Sequence, residues 1–223
     1  MRKLTFYFDY ISPNAYLAWS QLPGLVERYE LELEIVPVLF AGLLEAHKQM
    51  GPAEQPAKRD WMAKNIARKA AMLNLPLTKP KFHPFNPLLA LRLSNYPLAA
   101  DQHYLLVDRI MKGIWVDSLH PSEESDVRLM LEGSGLNVDA MLGYAASSGA
   151  AEQLREQTQA AIDAGVFGIP SMLCEGELFF GYDDFEFLAM MLEGRDPAKA
   201  SESARQWLAT PATPSAQRNL GSE

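Results

Sequence analysis

The residue with the clearest chemical potential is Ser12, which stands between a hydrophobic run and a segment with helical spacing. Residues 4–8 are β-prone and almost continuously hydrophobic, and Pro13 follows the serine directly. Serine at the N-cap and proline at the first helical position are an ordinary way to begin a helix. No adjacent base is evident to take the hydroxyl proton. We therefore expect Ser12 to act as a hydrogen-bond donor at a helix terminus, rather than as a nucleophile.

Two later segments add candidate functional groups. Ile169-Pro170 immediately precedes a β-prone run, and Gly181-Tyr182-Asp183 precedes a short apolar helix that aspartates can cap. The single cysteine, Cys174, cannot form an internal disulfide or a dithiol redox pair. None of the histidines has the spacing of a metal site, so we predict no metal; they are His47, His83, His103 and His120.

The elements that must position these groups alternate between strands and helices. Strand 4–8, a helix from Pro13 that Pro23 is expected to kink, and strand 33–40 form one βαβ unit, in which Pro37 indicates an edge strand or a bulge. A hairpin follows over 171–174 and 178–180, and a closing helix runs from Asp184 to Gly194. Between them only helices are predicted, over residues 58–73, 86–94, 101–113, 122–132, 138–147 and 151–164.

Composition narrows the classes of partner. The chain has 223 residues, of which 48% are hydrophobic and 22% charged, and its net charge is −8. Such a balance argues against a nucleic-acid surface and against binding to an anionic membrane, so the expected partner is a small molecule. The N-terminal apolar run stops at Asp9 without a cleavage site, which argues against a signal peptide. A lone cysteine fits a reducing cytoplasm.

Three motifs resemble those of a known family, the kappa-class glutathione transferases and 2-hydroxychromene-2-carboxylate isomerases. They are Phe6-Tyr7-Phe8-Asp9-Tyr10-Ile11-Ser12-Pro13-Asn14-Ala15-Tyr16-Leu17-Ala18, Gly165-Val166-Phe167-Gly168-Ile169-Pro170-Ser171-Met172, and Phe179-Phe180-Gly181-Tyr182-Asp183. The resemblance implies a DsbA-like α/β fold, in which an all-helical domain is inserted into a thioredoxin-like fold. We assign residues 1–41 and 166–197 to the thioredoxin-like domain, 42–165 to the insertion and 198–223 to a partly mobile tail.

The resemblance also implies roles around a bound glutathione. Ser12 stands where disulfide oxidoreductases of this fold have their attacking cysteine, and it would donate a hydrogen bond to the glutathione sulfur. Ile169, before a proline expected to be cis, would pair through its backbone with the cysteinyl part. Gly181, Tyr182 and Asp183 would hold the γ-glutamyl end, with Asp183 at its amine.

The segment from His47 to Lys58 is expected to lie over this site. Gln49 and Lys58 are the nearest matches to an amide and a lysine that family members place there. Apolar and aromatic residues are candidates for an electrophile pocket, namely Leu43, Leu44, Trp61, Phe82, Phe85 and Trp115.

The chain departs from the family at several positions. Asp184 replaces a common arginine, Leu44 falls where the isomerases have a lysine, and Glu54-Gln55 fall near an Asn-Arg pair. These differences put the hydroxychromene carboxylate in question as the substrate.

Three functional hypotheses follow, of which the first is favoured. The protein is a glutathione-dependent isomerase that acts on an electrophilic or aromatic-derived small molecule in aromatic catabolism, and the family implies a homodimer. Alternatively, it is a kappa-like glutathione transferase. The third hypothesis is a noncatalytic thioredoxin-fold protein that binds thiol peptides.

Overall fold

The computed structural model describes residues 1–210, and a four-stranded mixed sheet forms its centre. The strands are β1 (Arg2–Phe8), β2 (Leu31–Pro37), β3 (Ser171–Cys174) and β4 (Glu177–Phe180), arranged in the order β2-β1-β3-β4. β1 pairs in parallel with β2 and antiparallel with β3, and β3 and β4 form the predicted hairpin. This sheet, with helices before, between and after its strands, confirms the predicted α/β class.

The second strand differs from its predicted range of 33–40. β2 is an edge strand, as Pro37 indicated, but it ends at that proline, which has no N–H to donate to the ladder. Phe40 starts helix α2 (Phe40–Ala46), which the sequence did not predict. Its backbone N–H is bonded to a carboxylate oxygen of Asp9, 2.9 Å away, so the chain turns toward the end of β1 there.

Helix α1 (Pro13–Tyr29) follows β1 and contains Pro23, and the kink expected at that proline stays a prediction. Its buried face carries Trp19, which packs against Phe6 and Phe8 of β1 and stacks on Tyr104 with a centroid distance of 4.7 Å. This packing fixes the N-terminal turn of α1 relative to the end of β1.

Helices alone follow in the middle of the chain, as predicted, and the helix bounds differ from the expected ones by a few residues. They are α3 (Pro56–Met72), α4 (Leu88–Leu93), α5 (Ala100–Trp115), α6 (Glu124–Met130), α7 (Val138–Ala145) and α8 (Ser148–Asp163). Two buried hydrogen bonds tie them to the segment after β1. The Tyr10 hydroxyl pairs with Ser94 Oγ at 2.7 Å, and Trp115 Nε1 donates to the Tyr10 carbonyl at 3.1 Å.

The chain divides into two compact units, Met1–Asp184 and a second that begins at Phe185. The second unit contains α9 (Phe185–Leu192), α10 (Pro197–Ala200) and α11 (Glu202–Ala209). The last two were not predicted, since that stretch was assigned to the tail. The expectation of a mobile end concerns residues 211–223, which lie outside the described residues. The boundaries of the inserted domain remain a prediction.

No helix within residues 1–210 is long and apolar enough to cross a membrane.

Candidate functional site

A cavity of about 770 Å³ opens beside the N-terminus of α1, within the first unit. Its walls come from the end of β1, the segment from α2 to α3, the segment before α4 and the loop before β3. The residues that line it include Asp9, Ser12, Leu44, Gln49, Lys58, His83, Phe85, Phe167, Ile169 and Phe180. Most of this wall is apolar, so the few polar groups in it determine what it can bind.

Ser12 is held at the mouth of α1 by its own backbone and side chain. Its N–H donates to the carbonyl of Asp9 at 3.2 Å, and its hydroxyl oxygen accepts from the N–H of Ala15 at 3.2 Å. The serine is therefore the N-cap of α1. A hydroxyl that accepts one bond still has a proton to donate, and within residues 1–210 that proton has no acceptor. The site thus offers one O–H donor at a helix N-terminus, where negative charge is favoured.

Asp9 is a second polar group in the wall, and it is fully buried. Its two carboxyl oxygens accept from the N–H groups of Ile11 at 3.0 Å and Phe40 at 2.9 Å. Burial raises the pKa of Asp9 to about 7, and the two backbone bonds offset that rise only in part. This carboxyl connects the start of α2 to the turn that carries Ser12.

The Ile169-Pro170 peptide bond is cis, and Ile169 lines the cavity. Neither the N–H nor the carbonyl of Ile169 has a hydrogen-bond partner in the part of the chain that the structure describes. The loop is fixed on either side, because Ser171 Oγ donates to the carbonyl of Gly168 at 2.8 Å and Gly181 N–H donates to that of Pro170 at 2.8 Å. A short extended peptide can pair with such a free backbone edge.

Four of the predicted site residues therefore border one cavity, namely Ser12, Ile169, Gln49 and Lys58. The other four, Pro170, Gly181, Tyr182 and Asp183, are not part of its wall. Tyr182 packs against the hydrophobic cluster formed by Leu17, Ile66 and Ala70. Asp183 is largely exposed and forms an ion pair with Lys69 at 2.7 Å.

Asp184 supplies no positive charge in place of the family's arginine, and its carboxylate accepts from the N–H of Phe180 at 2.8 Å.

The candidate electrophile residues divide in the same way. Leu44 and Phe85 line the cavity, whereas Leu43 is wholly buried in a core cluster and Trp61 is exposed. Phe82 and Trp115 lie outside the wall. Glu54, which does line it, uses one carboxylate oxygen to accept from the N–H of Gly51 at 2.7 Å.

The sequence reading gave no role to two polar groups of the wall, Asp9 and His83. Asp9 follows a hydrophobic strand and resembles an ordinary strand terminator. For His83 the sequence indicates only that its spacing does not suit a metal site. Its position inside the aromatic run Phe82-His83-Pro84-Phe85 is the one signal that it is held in place by packing. Among the described residues, no group of three or more His, Cys, Asp or Glu side chains can hold a metal ion.

Comparisons with known proteins agree with this fold. A family model described as a DSBA-like thioredoxin domain matches residues 3–193. The 2-hydroxychromene-2-carboxylate isomerase of Sphingobium xenophagum is 30% identical over 193 residues, which cover 86% of this chain and 98% of that protein. Glutathione S-transferase kappa 1 of Rattus norvegicus is 22% identical over 205 residues, covering 86% and 91%.

A solved structure of 2-hydroxychromene-2-carboxylate isomerase superposes with a TM-score of 0.79 and 29% identity, covering 89% of this chain and 99% of that one.

Proposed function

Because the chain belongs to the DsbA-like thioredoxin family and groups there with the 2-hydroxychromene-2-carboxylate isomerases and kappa-class glutathione transferases, we propose that it is a glutathione-dependent isomerase. The observation that carries this proposal is the pairing of two unsatisfied groups on one cavity. These are the hydroxyl proton of Ser12 and the backbone edge of Ile169. Together they match a cysteinyl residue, which has a sulfur to receive one bond and a backbone to make two.

Bound glutathione would supply a thiol that adds reversibly to a conjugated electrophile, so that a double bond becomes a rotatable single bond before the thiol leaves. Ser12 favours the ionised form of that thiol by donating its O–H, while its oxygen keeps the bond to Ala15. The N-terminus of α1 adds the partial positive charge of the helix dipole. These two effects together favour a thiolate by on the order of a few kcal/mol.

The remaining groups hold the rest of the tripeptide. Lys58 and Gln49 border the cavity and offer a cation and an amide to a carboxylate. Phe180 lines the cavity and is followed directly in the chain by Gly181, Tyr182 and Asp183. The N–H of Gly181 is tied to Pro170, and Asp183 carries the charge for the γ-glutamyl amine. In this proposal the amine approaches the Asp183 oxygen that Lys69 does not bind.

The substrate differs from the hydroxychromene carboxylate. Leu44 and Glu54 supply no cation to the wall, and Lys58 is allotted to glutathione. An anionic substrate would therefore find no lysine or arginine of its own, whereas the apolar wall suits an uncharged, aromatic-derived electrophile. This composition also favours the second candidate, a kappa-like transferase in which the adduct departs with its glutathione.

The resemblance further supports a homodimer that acts in the cytoplasm, in aromatic catabolism. Sedimentation velocity of the full chain tests the first of these proposals.

Isothermal titration calorimetry with glutathione tests the proposal as a whole. We expect saturable binding of glutathione. S-methylglutathione, which cannot form a thiolate, should bind at least several-fold more weakly or not at all. Ser12→Ala should weaken the binding as well. Its matched control is Ser147→Ala, since Ser147 caps α8 with the same 3.2 Å bond and lies outside the cavity. Failure to bind at several millimolar glutathione would end the proposal.

A further inference from the structure

His83 borders the same cavity as Ser12, and its ring is hydrogen-bonded to Ile11, the residue before Ser12. The imidazole Nε2 lies 2.9 Å from the carbonyl oxygen of Ile11, and Ile11 is followed directly by Ser12. The His83 side chain is half-buried and lies in the segment between α3 and α4. Local sequence patterns do not predict this contact, because His83 and Ile11 are 72 positions apart.

The hydrogen bond to Ile11 determines which ring nitrogen can take a proton. A carbonyl oxygen only accepts, so Nε2 must carry the hydrogen and donate it. In the neutral ring Nδ1 then has a free lone pair. Within residues 1–210 no group is hydrogen-bonded to Nδ1, and the atom is not sealed from solvent.

Aromatic neighbours hold the ring in this orientation. Its centroid lies 5.9 Å from that of Phe85 at an interplanar angle of 77°, and 5.6 Å from that of Trp115 at 55°. Neither neighbour titrates in the neutral range. The ring, which belongs to a residue that lines the cavity, therefore has one fixed donor, two apolar neighbours and one unoccupied acceptor.

We propose that His83 is the general base that takes the thiol proton of bound glutathione at Nδ1, while the Ser12 hydroxyl donates a hydrogen bond to the sulfur. This inference rests on the proposed function. The S–H bond breaks, its electron pair stays on sulfur, and a new N–H bond forms on Nδ1. The products are a thiolate and an imidazolium within one cavity. Elimination of the substrate regenerates this same pair, so no proton needs to leave during isomerisation.

The electrostatic surroundings suit a base that is neutral before glutathione arrives. Burial lowers the pKa of His83, and Lys79 on the same segment lowers it further, while the bond to Ile11 acts in the opposite direction. The other charged groups that border the cavity are Asp9, Glu54 and Lys58. A thiolate formed beside the ring would favour the imidazolium, since opposite charges stabilise each other at close range.

Asp9 is the competing proton acceptor and is the less suitable one. Both of its oxygens already accept backbone N–H groups, and its side chain is fully buried. His83 has an acceptor atom with no such commitment. The experiment below distinguishes the two groups.

The test counts protons that reach the buffer when glutathione binds. Calorimetric titrations in two buffers of different ionisation enthalpy give this number, and ultraviolet absorbance of the same mixture gives the amount of thiolate. Above the pKa of His83, the wild-type protein should form thiolate with close to zero protons released. Below that pKa the ring is already protonated, so each thiolate formed should release close to one proton.

His83→Gln keeps an N–H donor for the Ile11 carbonyl but removes the titrating nitrogen. In this variant the bound thiol should ionise at a higher pH and release close to one proton per thiolate. His47→Gln is the matched control, because His47 Nε2 also bonds a backbone carbonyl, that of Val166 at 3.0 Å, and lies outside the cavity. The control should behave as the wild type does.

Two outcomes overturn the proposal. One is a wild-type protein that forms thiolate at neutral pH but sends a full proton to the buffer. The other is a His83→Gln variant that still retains the proton, which would assign it to Asp9. If His83→Gln does not fold, nuclear magnetic resonance of the His83 ring in the wild-type protein decides the question. Nδ1 should become protonated on adding glutathione at neutral pH, and an unchanged ring contradicts the proposal. A wild-type protein that does not bind glutathione at all refutes the proposed function instead.

Discussion

The Ser12 hydroxyl oxygen lies 3.2 Å from the backbone nitrogen of Ala15 and caps helix α1 through this bond. Ser12→Ala should therefore lower the free energy of unfolding by about 1 kcal/mol, whatever its role in binding. Ser147→Ala removes an equal cap from α8 and should cost a similar amount. Urea denaturation followed by circular dichroism measures both values. Equal losses of stability make any difference in glutathione chemistry between the two variants a property of the Ser12 position alone.

The buried carboxyl of Asp9 should make stability fall with rising pH. In the unfolded chain an aspartate ionises near its ordinary pKa of about 3.9, but in the folded protein the pKa of Asp9 is raised to about 7 by burial. Between these values the folded state holds a proton that the unfolded state has released. Asp9 therefore subtracts stability as pH rises from about 4 to about 7, by on the order of 4 kcal/mol at most, and changes little outside that window.

Asp9→Asn removes this pH-dependent contribution. At pH 4 the variant should be less stable than the wild type, because its amide nitrogen faces a backbone N–H donor. The difference in unfolding free energy between wild type and variant should shrink as pH rises to 7. Denaturant titrations at pH 4, 5, 6 and 7 measure it. A difference that stays constant over this range contradicts the assignment.

Gly168 keeps the Phe180 ring in the cavity wall. A Cβ at this position would lie 2.7 Å from Phe180 Cε2, so Gly168→Ala must displace the ring. Phe180 is 42% exposed and has room to move, which keeps the cost in stability to roughly 1 kcal/mol or less. Glutathione binding should weaken several-fold, because the wall beside Ile169 changes shape.

Calorimetry measures the Gly168→Ala effect, and Gly143→Ala serves as its control. Gly143 has no neighbouring atom within 4 Å of a new Cβ and lies outside the cavity. If both variants bind glutathione as the wild type does, Phe180 does not shape the site.

Asp183 should contribute to binding and little to stability. Its ion pair with Lys69 at 2.7 Å involves a largely exposed carboxylate, and such pairs contribute about 0–1 kcal/mol. Asp183→Asn should raise the Kd for glutathione about tenfold, which corresponds to about 1.4 kcal/mol. An analogue without the γ-glutamyl amine should bind wild type and variant equally.

Asp139→Asn is the control for that measurement, since Asp139 forms a comparable exposed ion pair with Arg128 at 2.8 Å. A similar loss of affinity in both variants would show a general charge effect and remove the specific role of Asp183.

The sequence was informative wherever a local pattern determines the structure. The hydrophobic run before Ser12 and the Ser-Pro pair predicted β1 and the start of α1, and the hairpin at 171–180 follows from its turn residues. Pro37 is also a local signal. Because proline has no N–H to donate to a neighbouring strand, it indicated an edge strand or a bulge, and β2 lies at the edge.

Long-range contacts were beyond the reach of those patterns. The His83–Ile11 bond joins residues far apart in sequence, and Asp9 finds Phe40 through the start of a helix that no pattern predicted. The family resemblance groups Asp183 with Ser12. Asp183 forms an ion pair with Lys69 and lies outside the cavity wall, so its role at the γ-glutamyl end stays a prediction. Spacing along the chain does not reveal which side chains border the same cavity.

Stabilisation of a glutathione thiolate by Ser12 is tested most directly by the ultraviolet absorbance of that thiolate. Glutathione is added to wild type, Ser12→Ala and Ser147→Ala, and the ultraviolet difference spectrum is followed as a function of pH. We predict that the pKa of the bound thiol lies well below that of free glutathione in the wild type and in Ser147→Ala. In Ser12→Ala it should lie close to the value for free glutathione. Identical ionisation curves for all three proteins would contradict the claim.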